Sequence, residues 1–182
     1  MAKEILNLCG VQSYLKNVDQ SAGQLLNVWD KNPNVTCDEF FTQHLDCKIT
    51  VIRSILNKLH FYGIVNYDKI KNENSGWFTF KWHLDYEKLA KLVLINNLDK
   101  LEKLNINMKK YEQYQMFTCS NSCKDFEFEV AAHYNFYCPM CNENLNLLNQ
   151  KERRDEIKTQ IDTIEEENSI LSGFLKDKNK KA

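Results

Sequence analysis

Four cysteines, Cys119, Cys123, Cys138 and Cys141, fall as two close pairs with a short stretch between them, and no other feature of the chain restricts its fold as much. Two thiolates on a tight turn point at one ion, and a second pair brought alongside by a hairpin closes a tetrahedral set. The second pair, Cys138-Pro139-Met140-Cys141, has the compact spacing. The first, Cys119-Ser120-Asn121-Ser122-Cys123, is one residue wider and still inside the spacing that zinc tolerates. Phe117-Thr118 leads into one pair and Phe136-Tyr137 into the other, which suggests two equivalent knuckles, each entered by an aromatic strand. The same thiols serve two disulfides or an iron–sulfur cluster in other settings. Met1 to Gly10 is too short and mixed for a secretory signal, which disfavours disulfides, and cluster-binding runs usually differ from two knuckles. One structural zinc ion held by the four cysteines is the favoured reading. A closed set of four protein ligands organises a fold and leaves no position for water activation.

The chain has 182 residues, 43% of them hydrophobic, enough for one conventional core beside a small metal-stapled module. No apolar run approaches membrane-spanning length, so the expectation is a soluble intracellular protein with no membrane partner. The formal net charge of -1 supplies no global positive field to attract nucleic acid. Cys9, Cys37 and Cys47 read as buried or bystander thiols. His44, His60, His83 and His133 are dispersed, no Ser/His/Asp or Cys/His arrangement emerges, and no phosphate-binding glycine loop is present. The chain does not read as an enzyme.

Upstream of the cysteines, Ala22, Leu25, Leu26 and Trp29 recur at helical spacing, with Asp19 or Ser21 as cap and Lys31-Asn32-Pro33-Asn34 as stop. Thr36, followed by Asp38 and Glu39, predicts a second helix capped by the threonine hydroxyl, with Phe40, Phe41 and Leu45 inward. A third carries Val51, Ile52, Ile55, Leu56 and Leu59 inward and ends at Gly63. Ile64 to Tyr67 and Trp77 to Trp82 then read as two strands joined by the turn-rich stretch 71–76. Three helices and a hairpin make a winged helix-turn-helix. Residues 1–85 hold about nine basic and nine acidic side chains, not the basic footprint of an independent duplex reader. Candidate contacts to a partner or to DNA are Arg53 and Lys58 on the third helix, Lys69 and Lys71 on the wing, and whichever of Trp77 and Phe78 faces outward.

From Tyr86 to Gln115 neither proline nor glycine interrupts, and Leu94, Leu98, Leu101 and Met108 trace an approximate heptad seam with Asn105 among them. The reading is a connecting, coiled-coil-like helix. Phe126 to Val130 alternates as a half-buried strand does. Asn142 stands where the second knuckle needs a permissive backbone. After Gln150, Ile157, Ile161, Ile164, Leu171 and Leu175 keep one seam with Asn168 between them, so a short amphipathic helix pairs with a partner or folds back on the connecting helix, and Lys176 to Ala182 form a mobile tail. The fold class is α+β: a winged-helix domain (1–85), a connecting helix (86–115), a zinc ribbon (116–150) and a charged amphipathic helix and tail (151–182).

That order resembles archaeal transcription factor E and the N-terminal half of the eukaryotic TFIIE α subunit. The likeness extends to residues: Val11-Gln12-Ser13-Tyr14-Leu15, the segment Thr50 to Leu59 with Gly63-Ile64-Val65, the wing Gly76-Trp77-Phe78-Thr79-Phe80-Lys81-Trp82, and Phe136-Tyr137-Cys138-Pro139-Met140-Cys141 after Ala131 or Ala132. It covers the chain to about residue 150, departs from the family at the wider first knuckle, and does not interpret the C-terminal heptads. The resemblance implies a non-catalytic initiation factor. Its partners are RNA polymerase, bound at the clamp, TATA-binding protein, the TFIIB-like factor and promoter DNA, with a TFIIE-β-like subunit as a further candidate. It implies a cytoplasmic, nucleoid-associated location in an archaeon and a nuclear one in a eukaryote. The rival reading is a winged-helix repressor that senses a metal or redox state through its cysteines.

Overall fold

The stripe Ala22, Leu25, Leu26 and Trp29 is buried along α3 (Ala22–Lys31), and the acid read as its cap binds at its entry: Asp19 Oδ1 accepts the Ser21 amide at 2.9 Å. The computed structural model describes residues 2–71, 73, 76 and 78–179. Two units emerge, Met1–Asn97 with Glu167–Ala182, and Leu98–Glu166. Both are mixtures of helices and small antiparallel sheets.

The first unit opens with α1 (Ala2–Leu6) and α2 (Cys9–Val18), which bring Ile5, Leu6, Val11 and Leu15 into its core. After α3 come α4 (Asp38–Leu45) and α5 (Ile49–Phe61). Thr36 does not cap α4. Cys37 holds the cap position without a side-chain bond, and Thr36 gives its carbonyl to the Trp82 amide at 2.9 Å, because the extended segment before α4 lies against the hairpin. Of the five residues expected to face inward from α5, Ile52, Ile55, Leu56 and Leu59 are buried and Val51 is 45% exposed, since the stripe is only as wide as the contact with the neighbouring helices.

Gly63 ends α5 at φ +71°, with its amide bonded to the His60 carbonyl and the Ile64 amide to the Leu59 carbonyl, the closure that a left-handed residue permits. Buried Ile64 and Val65 lead into β1 (Val65–Lys71), which pairs with β2 (Phe78–Leu84) from Val65↔Leu84 to Lys71↔Phe78. Both strands run longer than the read segments. Trp77 lies outside the described residues.

The 28-residue α6 (Tyr86–Gln113) does not begin as a free spacer: Leu89, Ala90 and Val93 are fully buried in the first core. Leu98 is 61% exposed and Asn105 is exposed, which corrects the seam. The sheltered face runs instead through Val93, Asn97, Leu101, Leu104, Met108 and Tyr111. Both stripes share Leu101 and Met108, and the polar Asn97 disguises the one that is used. The final helix, α8 (Gln150–Asn179), is 30 residues long, not short. Its Leu171 and Phe174 are buried in the first core with Leu175 packed against them, so this end folds back within the chain. Of the expected tail, residues 180–182 lie outside the described residues.

In the second unit, β3 (Met116–Cys119) is the centre of a three-stranded sheet, flanked by β4 (Asp125–Glu127) and β5 (Leu145–Leu147). The predicted strand over Phe126–Val130 stops after Glu127, and α7 (Phe128–His133) follows. The Phe128 amide bonds the Gln115 carbonyl as a last rung in register with β3, and past it the chain turns into the helix that buries Ala131. Tyr111 donates to Asp125 Oδ2 at 2.7 Å, and the Gln150 side chain donates to the Tyr111 and Tyr114 carbonyls, so the sheet is hydrogen-bonded to the helical segments of its own unit.

Candidate metal centre

Each cysteine pair sits on a loop closed in the same way. The Cys119 amide reaches the Lys124 carbonyl at 3.4 Å and the Cys138 amide reaches the Glu143 carbonyl at 2.7 Å, while Thr118 pairs with Asp125 and Tyr137 with Asn144. The two loops are therefore equal in length. The wider first pair is not a longer loop: its second thiol has moved one position along, and the left-handed residue has moved the other way. Ser122, just before Cys123, has φ +53°, whereas Asn142, just after Cys141, has φ +62°. The permissive position expected at Asn142 is thus present.

The four sulfurs lie within 4.8 Å of one another, with Cys141 Sγ 3.4 Å from Cys119 Sγ and 3.5 Å from Cys123 Sγ. Tetrahedral zinc, with Zn–S bonds of about 2.3 Å, spaces its sulfurs about 3.8 Å apart, so the donor set fits a tetrahedral, thiophilic ion. The first cysteine of each pair is buried with Phe126, Ala131 and Leu145, and the second is exposed. A bound ion would link the small core to its rim. Burial raises the Cys119 thiol, but the amides of Cys123 and Asn121 and the neighbouring thiols outweigh it and bring the group down to about 7. Cys123 is pushed up to about 12, first by its hydrogen bonds to Cys141 and Cys119. One thiolate in the cluster penalises the next, a conflict that a divalent cation removes. Among the described residues, these four alone form such a group. The other three cysteines stand apart, Cys9 and Cys37 exposed and Cys47 half-buried.

The candidate contact residues lie in the first unit. Arg53 on α5 pairs with Asp38, which is nearly buried, and approaches Glu39; Lys58 pairs with Asp19 at 2.6 Å. Both cations have a carboxylate partner within the chain, while about half of each side chain stays exposed. Burial opposes ionisation of Asp38 and Asp19, yet the hydrogen bonds from Arg53 and Lys58 hold both below the usual carboxylate range. On the hairpin, the pairs Tyr67↔Trp82, Lys69↔Phe80 and Lys71↔Phe78 put aromatic and cationic side chains on one face. Lys69 Nζ stands 3.9 Å from the centre of the Phe78 ring, and Phe78 is 49% exposed. This face and α5 line a cleft of about 470 Å³, with Asp38, Arg53, Asn57, Tyr67 and Phe80 in its walls. Sequence reasoning missed Tyr67 and Phe80 as surface residues; their alternation with the lysines was the available signal.

Comparison with known proteins accords with this geometry. A family model described as the TFIIE alpha subunit matches residues 14–113. A protein named Transcription factor E from Methanobrevibacter smithii is 29% identical over 155 residues, covering 85% of this chain and 90% of the relative. Proteins of the same name from Methanococcus vannielii and Ignicoccus hospitalis are each 35% identical, over 143 and 130 residues, covering 79% and 71% of this chain and 81% and 75% of those relatives.

Proposed function

Because the chain belongs to the TFIIE alpha family and is a transcription initiation factor, we propose that it binds the RNA polymerase clamp in the promoter complex and favours promoter opening. The complex would hold TATA-binding protein and the TFIIB-like factor. The observation that carries this reading is the family match over residues 14–113, and the surface chemistry supports it. The helices and hairpin of residues 1–85 are a winged helix whose α5 cations, Arg53 and Lys58, are occupied by Asp38 and Asp19, a poor surface for duplex phosphates. The mixed aromatic and lysine face of the hairpin suits a protein surface or promoter DNA already held by the complex. Lys69, Lys71, Phe78 and, by sequence, Trp77 are its contact candidates.

Cys119, Cys123, Cys138 and Cys141 would hold one zinc ion, which would cross-link the ribbon, with no reaction routed through it. Between Met116 and Asn149 the ribbon presents Glu127, Glu129 and Glu143 against Lys124, with Asp125 held by Tyr111 and Arg153, a balance that suits protein contacts better than phosphate. The mechanism is population shift: the factor binds the melted, open-clamp state more tightly than the closed one, and each difference of about 1.4 kcal/mol moves the equilibrium about tenfold.

The test combines purified protein, RNA polymerase, the two basal factors and a weak promoter, with permanganate reactivity of thymines reporting the bubble. Added protein should raise reactivity and lengthen the life of the open complex. Unchanged opening and lifetime would overturn the proposal, as would tight, sequence-specific binding of the protein alone to promoter duplex, the behaviour of a metal- or redox-sensing repressor.

A further inference from the structure

The C-terminal end of α8 docks on the first unit through apolar side chains that do not by themselves define a position. Leu171 and Leu175 are one turn apart and equivalent in shape, so a helix held only by such knobs can slip by a turn. Beside them lies a polar group that cannot slip. Glu167, 8% exposed, accepts the Gly10 amide with both carboxylate oxygens, at 2.9 and 3.1 Å. Gly10 is in the first turn of α2, where backbone amides have no partner inside the helix, and Leu8 at the cap position provides no side-chain acceptor. A carboxylate at that end also meets the favourable pole of the helix.

Gly10 is suited to this approach, because a Cβ there would stand 2.2 Å from Glu167 Oε2. Next to it, Asn97, 1% exposed on α6, donates to Asn168 Oδ1 at 2.9 Å. Asn97 ends the first segment of this unit, and Glu167 begins the second. The hydrogen bonds therefore close the two points at which the chain leaves the unit and returns.

We propose that Gly10, Asn97, Glu167 and Asn168 form a polar clasp that sets the register in which the C-terminal helix docks on the first unit. A slip of one turn would present Thr163 or Leu171 to Gly10 and move Glu167 away from its amide partner. Buried polar groups fix register in paired helices because only one alignment satisfies them.

The test is hydrogen exchange and amide NMR on the full-length protein with its metal. In the wild type the Gly10 amide should exchange as slowly as the Leu15 amide in the same helix; exchange at the rate of an unprotected amide would overturn the clasp. Glu167→Ala should speed Gly10 exchange at least tenfold, and Glu167→Gln, which keeps one acceptor oxygen, should lie between; equal protection in all three would also overturn it. The triple variant Asn97→Leu, Glu167→Leu and Asn168→Leu, which removes every polar side chain of the clasp, separates register from simple stability. It should keep the helices folded while splitting the resonances of residues 169–177 into more than one set. A single set at the wild-type positions would refute the register role.

Discussion

Asp38 is a carboxylate whose burial would favour protonation and whose partner Arg53 prevents it. Its pKa is depressed in the folded chain, so its contribution to stability is present above the ordinary aspartate pKa and is lost as pH falls through the lower folded value. Asp38→Asn should cost about 1–2 kcal/mol at neutral pH and flatten the acid side of the melting curve, as read by thermal unfolding between pH 2 and 7. An unchanged acid slope would assign the loss to other groups. Gly63 poses a purely conformational case: at φ +71° an added Cβ would meet only the flexible Lys88 side chain, no closer than 3.4 Å. Gly63→Ala should therefore cost about 1 kcal/mol, from backbone strain and not from a clash, measured by denaturant unfolding.

At the scale of elements, the two cysteine loops are the same structure with the second thiol in different places. Asn142 pays a left-handed penalty at φ +62° that glycine would avoid. Asn142→Gly should keep metal binding and raise the melting temperature of the ribbon by an amount equivalent to a few tenths of a kcal/mol up to about 1 kcal/mol. A loss of metal would mean that the asparagine side chain, not its backbone, shapes the knuckle. The long helices show where sequence patterns mislead. On α6, the leucine repeat 94, 98, 101 pointed to one stripe, and packing selected the neighbouring one through Asn97. On α8, the repeat Ile157, Ile161, Ile164, Leu171 was legible because no competing stripe of equal hydrophobicity exists. For Phe126 to Val130, alternation satisfied the strand pattern and the pairing with β3 persists to the Phe128 amide, while the turn into α7 buries Ala131, which lies just beyond the alternating stretch.

For the whole molecule, the division into units predicts how damage spreads. About one zinc should be found per chain, and Cys138→Ser should remove it and unfold residues 116–149 while α1 to α5 keep their helical signal and the hairpin stays paired. A single transition, with both units melting together, would contradict separate cores. Removal of residues 167–182 tests the opposite end. Leu171 and Phe174 are buried in the first core, and losing two such side chains should destabilise that unit by several kcal/mol, although the cut leaves the four cysteines intact. The readout is thermal unfolding of the truncated chain beside its metal content, which should stay at one ion.

Local chemistry determined much of this protein directly from its sequence. Thiol spacing marked the four clustered cysteines, Gly63 marked the end of α5, and helical and strand periodicities marked α3, α5 and the hairpin, because each depends on residues within a turn or two of one another. The tertiary structure decided what depends on distant partners. Arg53 and Lys58 look like free cations until Asp38 and Asp19 are found beside them, and Gly10 looks like an ordinary small residue until Glu167, 157 positions away, reaches its amide. Spacing pointed to one set of four cysteines; the fold brings all four sulfurs within 4.8 Å of one another.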